Sequence, residues 1–475
     1  MINPHLIIKF WSRKNPVLFL EEIKESDIIC DPFCGSGSSG FSVILKNSSA
    51  FLSDINPVSI FISYNLLNKE KLNAEIIKEA ENLCFEIEKE IYTIDSSKIV
   101  NFAVWKTNYK CPFCGSQITS IRSSKIRCSV CDRRSEVNAL IVDEKVISLR
   151  FLTGEEISDE EKLIKRYLEI ENCLSLEWHP KGEFIYPGTK IKFKDGPHKS
   201  IKIEDLFTKR NLYAASKIYS FVEKVWKEDK VQGDFLKMSF IASLASATKM
   251  LPHSRSSGPS WKVPRYWIPP LREERNFCRA FIRRVKLLAD FKTRWLPISS
   301  NYNITVSFEG EIFHSSEKFI HIYRSNALAA SQSIPKVHLV ILDPPHYDEI
   351  NYFEMTYLWQ KWLEGSCQDK RFRDYSYWKS EICVNEKVGK DLNWYSYQLH
   401  NVIHSYMNCL KENGRMLIML HNKDRSLLDA TVKEITSDLK GNVKVEIEYK
   451  YPRIPSSTQG LHGHRKYLCL IKIKR

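Results

Sequence analysis

The run Asp343-Pro344-Pro345 follows a stretch, Val337 to Leu342, that is apolar but for His338, so an acid and two prolines stand at the carboxyl end of a buried strand. Proline carries no N–H and stiffens the turn, which leaves nearby carbonyls free as acceptors. A carboxylate and a carbonyl held together can both accept hydrogen bonds from one exocyclic amine. Such a grip fixes the amine and turns its lone pair toward an electrophile. A base paired in a duplex cannot present its amine this way and must first be flipped out, at a cost of a few kcal/mol. Asp-Pro-Pro also occurs as a plain turn. The residues that follow, His346 and Tyr347, offer rings that can stack on a base.

A second group of residues lies near the amino end. Asp31-Pro32-Phe33-Cys34-Gly35-Ser36-Gly37 follows Ile28-Ile29-Cys30, and Asp54-Ile55-Asn56-Pro57 ends the next apolar run. Gly35 and Gly37 can take positive φ and admit a ligand close to the backbone. An acid about twenty residues after a glycine turn can bind two ribose hydroxyls, as in nucleotide-binding βαβ units. The same spacing suits an ordinary βαβ turn. Just upstream, Phe10, Trp11 and Lys14 either wall a cofactor pocket or belong to a surface arm.

The third group is Cys111-Pro112-Phe113-Cys114 and Cys128-Ser129-Val130-Cys131. Two CxxC pairs at this separation place four thiolates around Zn2+, a closed and therefore structural site. About 10–16 kcal/mol of metal binding can fold so short a segment. Arg122, Lys125, Arg127, Arg133 and Arg134 surround it, either as phosphate contacts or as a solvated face.

The elements that must hold these groups read as strand alternating with helix. Helices are expected over Val17–Lys24, Val58–Leu67, Asn73–Tyr92, Leu206–Trp226, Phe235–Met250, Leu271–Trp295, Phe353–Leu363, Tyr395–Lys411 and Leu427–Leu439, and Glu155–Ile170 reads as a charged helix or a linker. Strands are expected at Ala139–Val142, Val146–Phe151, Phe184–Tyr186, Lys190–Phe193, from Ile320, at Val337–Leu342 and Gly414–Leu420, and as a closing pair, Val443–Tyr451 with Tyr467–Lys474, around a loop carrying His462, His464 and Arg465. The reading is α/β, a doubly wound Rossmann-like sheet that is discontinuous in sequence. Asp31, Asp54, Asn326 and Asp343 then gather at the carboxyl ends of its strands.

The chain has 475 residues and a net charge of +14, which favours an anionic partner and nucleic acid first. Between the two halves, Leu251 to Trp267 interleaves Arg, Lys, Ser and aromatics. The helix expected over Leu271–Trp295 carries Arg272, Arg275, Arg279, Arg283, Arg284, Lys286, Lys292 and Arg294. Both are candidate backbone-tracking surfaces. Thirteen cysteines, two CxxC pairs and no signal-peptide-like opening favour metal binding in a reducing, cytoplasmic setting over disulfides. No apolar run reaches eighteen residues, so no membrane span is expected.

Taken together, the Asp31–Gly37 turn with Asp54-Ile55-Asn56-Pro57, and Asp343-Pro344-Pro345, resemble the cofactor and catalytic motifs of the S-adenosylmethionine-dependent amino-group DNA methyltransferases. Phe10-Trp11-Ser12-Arg13-Lys14-Asn15-Pro16 resembles the amino-terminal motif of the branch with an inserted zinc ribbon, which also carries a segment like Leu206-Phe207-Thr208-Lys209-Arg210-Asn211-Leu212. The resemblance implies a class I methyltransferase sheet split into residues 1–108 and 316–475, a zinc ribbon at 109–138 and a mixed target-recognition region at 139–315. It implies that Asp31, Pro32, Phe33, Cys34, Gly35 and Gly37 wrap S-adenosylmethionine, with Phe10, Trp11, Lys14, Asp54 and Asn56 around it and Asn326 by the adenine. Asp343, Pro344 and Pro345 would hold a flipped base, with His346 or Tyr347 stacking on it. Adenine N6 is favoured over cytosine N4, because Asp rather than Ser opens the catalytic motif. The family has Tyr, Phe or Trp where His346 stands. Duplex DNA and a cognate restriction endonuclease are the implied partners. The rival expectations are an RNA amino-group methyltransferase and a catalytically weak zinc-ribbon DNA-binding subunit.

Overall fold

The computed structural model describes residues 7–474 apart from 12–13, 96, 119–124, 137–138, 159–160, 184–201, 254–265, 267, 313–316, 440–442, 451–452 and 457–458. The strands expected at Phe184–Tyr186 and Lys190–Phe193, Arg122, and most of the Leu251–Trp267 loop lie outside the described residues. So do the side chains of His462, His464 and Arg465, although Arg453–Ser456 and Gln459–Arg465 form an antiparallel pair.

The chain folds as two units. One takes residues 1–71, 290–364 and 368–475; the other takes 72–289 and 365–367. The first boundary therefore falls at 72, not at the expected 109. The cause is local: the helix Ala74–Ile91 and Tyr92 belong with the middle of the chain. Glu88 receives a two-point grip from Arg279, and the Tyr92 hydroxyl bonds Asn211 at 2.5 Å. The second boundary lies inside the helix Phe277–Ser299 rather than at 315.

The first unit is built on an eight-stranded sheet. Its strands are β1 (Ile28–Asp31), β2 (Ser49–Asp54), β3 (Asn303–Ser307), β4 (Phe319–Arg324), β5 (Val337–Leu342), β6 (Leu410–Asn422), β7 (Lys444–Lys450) and β8 (Tyr467–Lys474). Their order is β3-β4-β2-β1-β5-β6-β8-β7. The six from β3 to β6 are parallel, and β8 runs against both of its neighbours. Winding thus proceeds outward both ways from β1, and the gap between the carboxyl ends of β1 and β5 is a topological switch point. Strands buried on both faces should be continuously apolar rather than alternating. The centres of β1, β2 and β5 are, with Ile29, Cys30, Ala50, Leu52, Val340 and Ile341 fully buried.

Local signals explain the crossovers. Gly37, at φ 79°, opens the helix Ser38–Leu45. Asn56 caps Pro57–Leu67 by accepting from the Val58 N–H, with Pro57 at the first helical position. A Cβ at Gly40 would lie 2.6 Å from Leu67 and 2.9 Å from Leu52, so only glycine lets this helix pack so closely. Beyond β5, the helices Tyr352–Glu364, Leu392–Cys409 and Arg425–Ile435 follow.

The second unit centres on a long antiparallel pair, Lys98–Lys110 with Ile141–Phe151, joined by Leu271–Arg275 and short strands. The helices Lys209–Glu228 and Lys230–Leu244 accompany it. Residues 271–275, expected to begin a helix, are a strand: Arg272 and Glu274 are buried on one side of the pairing with Lys98–Lys110. No helix among the described residues is long and apolar enough to cross a membrane.

Candidate functional site

The turn after β1 has the backbone that its glycines allow. Gly35 and Gly37 take φ of 53° and 79°, the left-handed region that favours glycine. Cys34 N–H donates to Ser53 O at 3.0 Å, which ties the turn to the end of β2. Asp54 closes it: one carboxylate oxygen accepts from Gly35 N–H at 3.0 Å and the other from Asn56 N–H at 2.9 Å. Asp31 accepts from Phe33 N–H at 3.0 Å and from the Ser39 hydroxyl.

This turn faces a cavity of about 870 Å³ of empty space, part of it open to solvent. Phe10, Trp11, Lys14, Asp31, Pro32, Phe33, Cys34, Gly35, Asp54, Asn56, Asn326, Asp343 and Pro345 all line it. The two motif groups, far apart in sequence, therefore meet at the switch point. Gly37, Pro344, His346 and Tyr347 are outside the lining. Asn56 and Asn326 reach the cavity as helix caps, their side-chain oxygens spent on Val58 and Ala329 N–H. Phe10 stacks on Tyr352 with ring centres 5.8 Å apart, and Trp11 lies 4.9 Å from Trp359, so both aromatics are built into the wall. Tyr352, Tyr377 and Glu381 also line the cavity. Sequence reading did not reach them: they arrive with the helix Tyr352–Glu364 and the turns after it, and no spacing marks them.

The wall is acidic. Asp31, Asp54, Asp343 and Glu381 face the cavity, and Lys14 is the one basic side chain among its described lining residues. Burial lifts Asp31 to about 7 against the pull of Ser39 and the Phe33 N–H. Burial likewise lifts Asp54 to about 6 and Glu381 to about 7, the latter despite Lys390 and the N–H groups of Tyr352 and Phe353.

Asp343 goes the other way. Burial works to raise it, but the Lys14 charge together with the neighbouring His346 and His421 outweighs this and holds it below the ordinary carboxylate range. Lys14 Nζ stands 3.2 Å from Asp343 Oδ1 as an ion pair, yet that buried oxygen receives no hydrogen bond among the described residues. Tyr395 donates to Pro345 O at 2.7 Å, so this carbonyl is already engaged. Tyr347 has φ 54°, which turns its ring into the core against Tyr395 and its hydroxyl onto Thr431 Oγ1 at 3.0 Å. The ring does not line the cavity. His346 is buried too, 3.1 Å from Lys14 Nζ and with its ring centre 3.5 Å from that of His421.

The cysteine site lies in the second unit. Its four sulfurs all fall within 4.8 Å of one another, with Cys111–Cys131 and Cys114–Cys128 at 3.7 Å. A Zn–S bond of about 2.3 Å in a tetrahedron sets sulfurs about 3.8 Å apart. The two loops are built alike: Gly115 N–H returns to Cys111 O and Asp132 N–H to Cys128 O, and Gly115 and Asp132 both have positive φ. The cluster can thus hold a metal such as zinc. It sits where Lys110 and Ile141 end the long strand pair.

The expected basic stripe comes apart. Arg272 is buried on Thr107 and Glu144; Arg279 holds Glu88; Lys286 pairs with Glu81; Arg294 pairs with Asp290. Lys292 is buried on the Asn68 carbonyl and side chain. Arg210 and Asn211, from the segment after the ribbon, are internal fasteners as well.

A scan against protein-family models gives no match for this chain, and searches of curated proteins and of solved structures give none.

Proposed function

We propose that the first unit is an S-adenosylmethionine-dependent amino-group methyltransferase acting on a nucleic-acid base, with adenine N6 in duplex DNA as the preferred acceptor. The observation that carries this reading is the meeting of the glycine turn and Asp343-Pro344-Pro345 around one cavity at the switch point of a parallel sheet. The strand order, with β8 alone reversed before β7, fits the class I methyltransferase sheet.

The cavity's chemistry supports the same donor. S-adenosylmethionine supplies an electrophilic methyl group on a cationic sulfonium. Four carboxylates, Asp31 and Glu381 buried and Asp54 and Asp343 partly so, and an aromatic wall favour a cationic ligand over a neutral or anionic one. Gly35 leaves room for close backbone approach, and Asp54 keeps lone pairs for ribose hydroxyls beyond the two N–H bonds it accepts.

Asp343 Oδ1, charged, buried and without a hydrogen-bond donor, is the acceptor for the target amine. An unpaired acceptor costs free energy until an N–H arrives, so it selects an amine-bearing base. Base stacking would fall to the cavity aromatics Tyr352 or Tyr377, since Tyr347 is turned away. The cysteine ribbon takes structural zinc in this reading, and the net charge of +14 favours a polyanionic partner.

The test is incubation with tritium-labelled donor and duplex DNA, single-stranded DNA or transfer RNA. Label in duplex DNA as N6-methyladenine is the expected result. Label confined to RNA would move the acceptor, and donor binding without label in any of the three would leave a binding subunit.

A further inference from the structure

His346 and Lys14 raise a question that the methyl-transfer reading leaves open. Neither needs to touch a base, yet both are held firmly beside Asp343, Lys14 on the cavity wall and His346 outside it. Lys14 Nζ lies 3.1 Å from His346 Nε2 and 3.2 Å from Asp343 Oδ1. The histidine contact is a hydrogen bond; Asp343 Oδ1 has Lys14 Nζ at 3.2 Å and His346 Nε2 at 3.4 Å, neither of them in hydrogen-bond geometry. Nε2 must then accept, which places the ring proton on Nδ1. Burial, with the neighbouring His421 and Lys14 charges, lowers His346 to about 3, so the ring is neutral and able to accept at any working pH. A phenyl, phenol or indole ring at this position has no in-plane nitrogen to receive the Lys14 N–H.

Lys14 is also anchored from the other side. The Ser38 hydroxyl, at the start of the helix after the glycine turn, donates to the Lys14 carbonyl at 2.9 Å. One residue therefore links the turn to the acid at the end of β5. Behind it the polar chain continues: His421 Nδ1 stands 3.6 Å from Glu349, which accepts from Lys466.

We propose that Lys14 is a positioning residue for Asp343, the counter-ion that keeps this buried carboxylate charged while leaving its acceptor direction free, and that His346 serves to hold Lys14 there by taking its N–H. This deepens the methyltransferase reading, on which its catalytic consequence rests; the electrostatic part stands on the structure alone. The charged or titratable groups facing Asp343 are Lys14 from the amino-terminal segment, His346 from its own turn, His421 from the end of β6, Asp31 from β1 and Tyr395 from the helix Leu392–Cys409. Of these, Lys14 is the only one that carries a positive charge at neutral pH.

The experiment titrates Asp343 directly, by carbon NMR of protein labelled at the aspartate carboxyl carbons, with Asp343→Asn assigning the signal. Lys14→Met, and Lys14→Gln should the first not fold, are expected to move the Asp343 midpoint up by about one pH unit or more. Lys14→Arg should restore it, and His346→Phe should move it part of the way. In transfer assays the acid limb of kcat/KM should rise with the midpoint, while KM for the donor changes less than about threefold. A wild-type midpoint in Lys14→Met overturns the proposal. So does a loss of donor affinity with an unmoved midpoint, which would make Lys14 a wall of the donor site. If the wild-type protein transfers no methyl group, the function fails while the titration still decides the role of Lys14.

Discussion

The two units treat buried charge in opposite ways. In the second, Arg210 is fully enclosed, stacked 3.6 Å from the Tyr167 ring and flanked by Glu274 and Glu171, and Arg272 is matched by Glu144. In the first, four carboxylates face one cavity with a single lysine among them, and three of the four are lifted toward neutrality by burial. Paired charge of the first kind holds a fold together. Unpaired charge of the second kind is a standing cost that a cationic ligand relieves. The contrast marks the second unit's charges as fasteners and the first unit's as a candidate ligand site.

That contrast can be broken by substitution. Asp343→Asn should lower methyl transfer by about two to three orders of magnitude with folding intact; single-turnover kinetics beside thermal melting would check it, and an active variant would remove Asp343 from the mechanism. Removing metal from the ribbon, by chelation or Cys128→Ser, should forfeit metal binding of roughly 10–16 kcal/mol. Hydrogen exchange should then quicken at the ribbon end of the Lys98–Lys110 and Ile141–Phe151 pair, while donor binding in the first unit persists. Arg210→Met should cost about 3–5 kcal/mol in denaturant unfolding, because Glu274 is left buried beside a neutral residue. The matching change in the other unit, Asp31→Asn, should alter stability by less than about 1 kcal/mol, since it removes a charge that already lacks a partner. Equal losses at both sites would erase the distinction.

A further expected effect is a pH dependence. Asp31, Asp54 and Glu381 have folded values raised to about 7, 6 and 7, above their ordinary range. The native state therefore binds more protons than the unfolded state between about pH 4 and 7, and these groups' contribution to stability falls as pH rises through that window. A cationic ligand favours the ionised forms, so its binding releases protons and its affinity should rise, roughly tenfold, from pH 5.5 to 7.5. Calorimetry in two buffers of different ionisation enthalpy reads the released protons; no release would mean that the carboxylates do not face the ligand.

Much of the first unit's framework was legible because it is written in local terms. Val337–Leu342 and Tyr467–Lys474 have the expected bounds, since an apolar run ended by Asp-Pro-Pro and an apolar run ending the chain admit few other readings. The glycine turn was legible from spacing. Tyr352, Tyr377 and Glu381 were not, because tertiary packing alone brings them to the cavity. The direction of Tyr347 was hidden by a positive φ in a residue that rarely takes one. The partners of the basic stripe were hidden for a related reason: periodicity counts the arginines on a face but cannot see Glu88, Glu81 and Glu144 arriving from elsewhere.

The pairing of β1 with β5 also sets an order of events on the ribosome. Ile28 N–H donates to His338 Nδ1, a partner 310 residues later in the chain. At about 5–20 residues per second, roughly 15–60 s pass between synthesis of the two strands. The middle of the chain is complete by then and can form its own sheet first. The amino-terminal strands wait, with their apolar edge open, until the last third emerges. The length of that wait makes the nascent first unit, rather than the finished one, the form most exposed to aggregation and most in need of a chaperone.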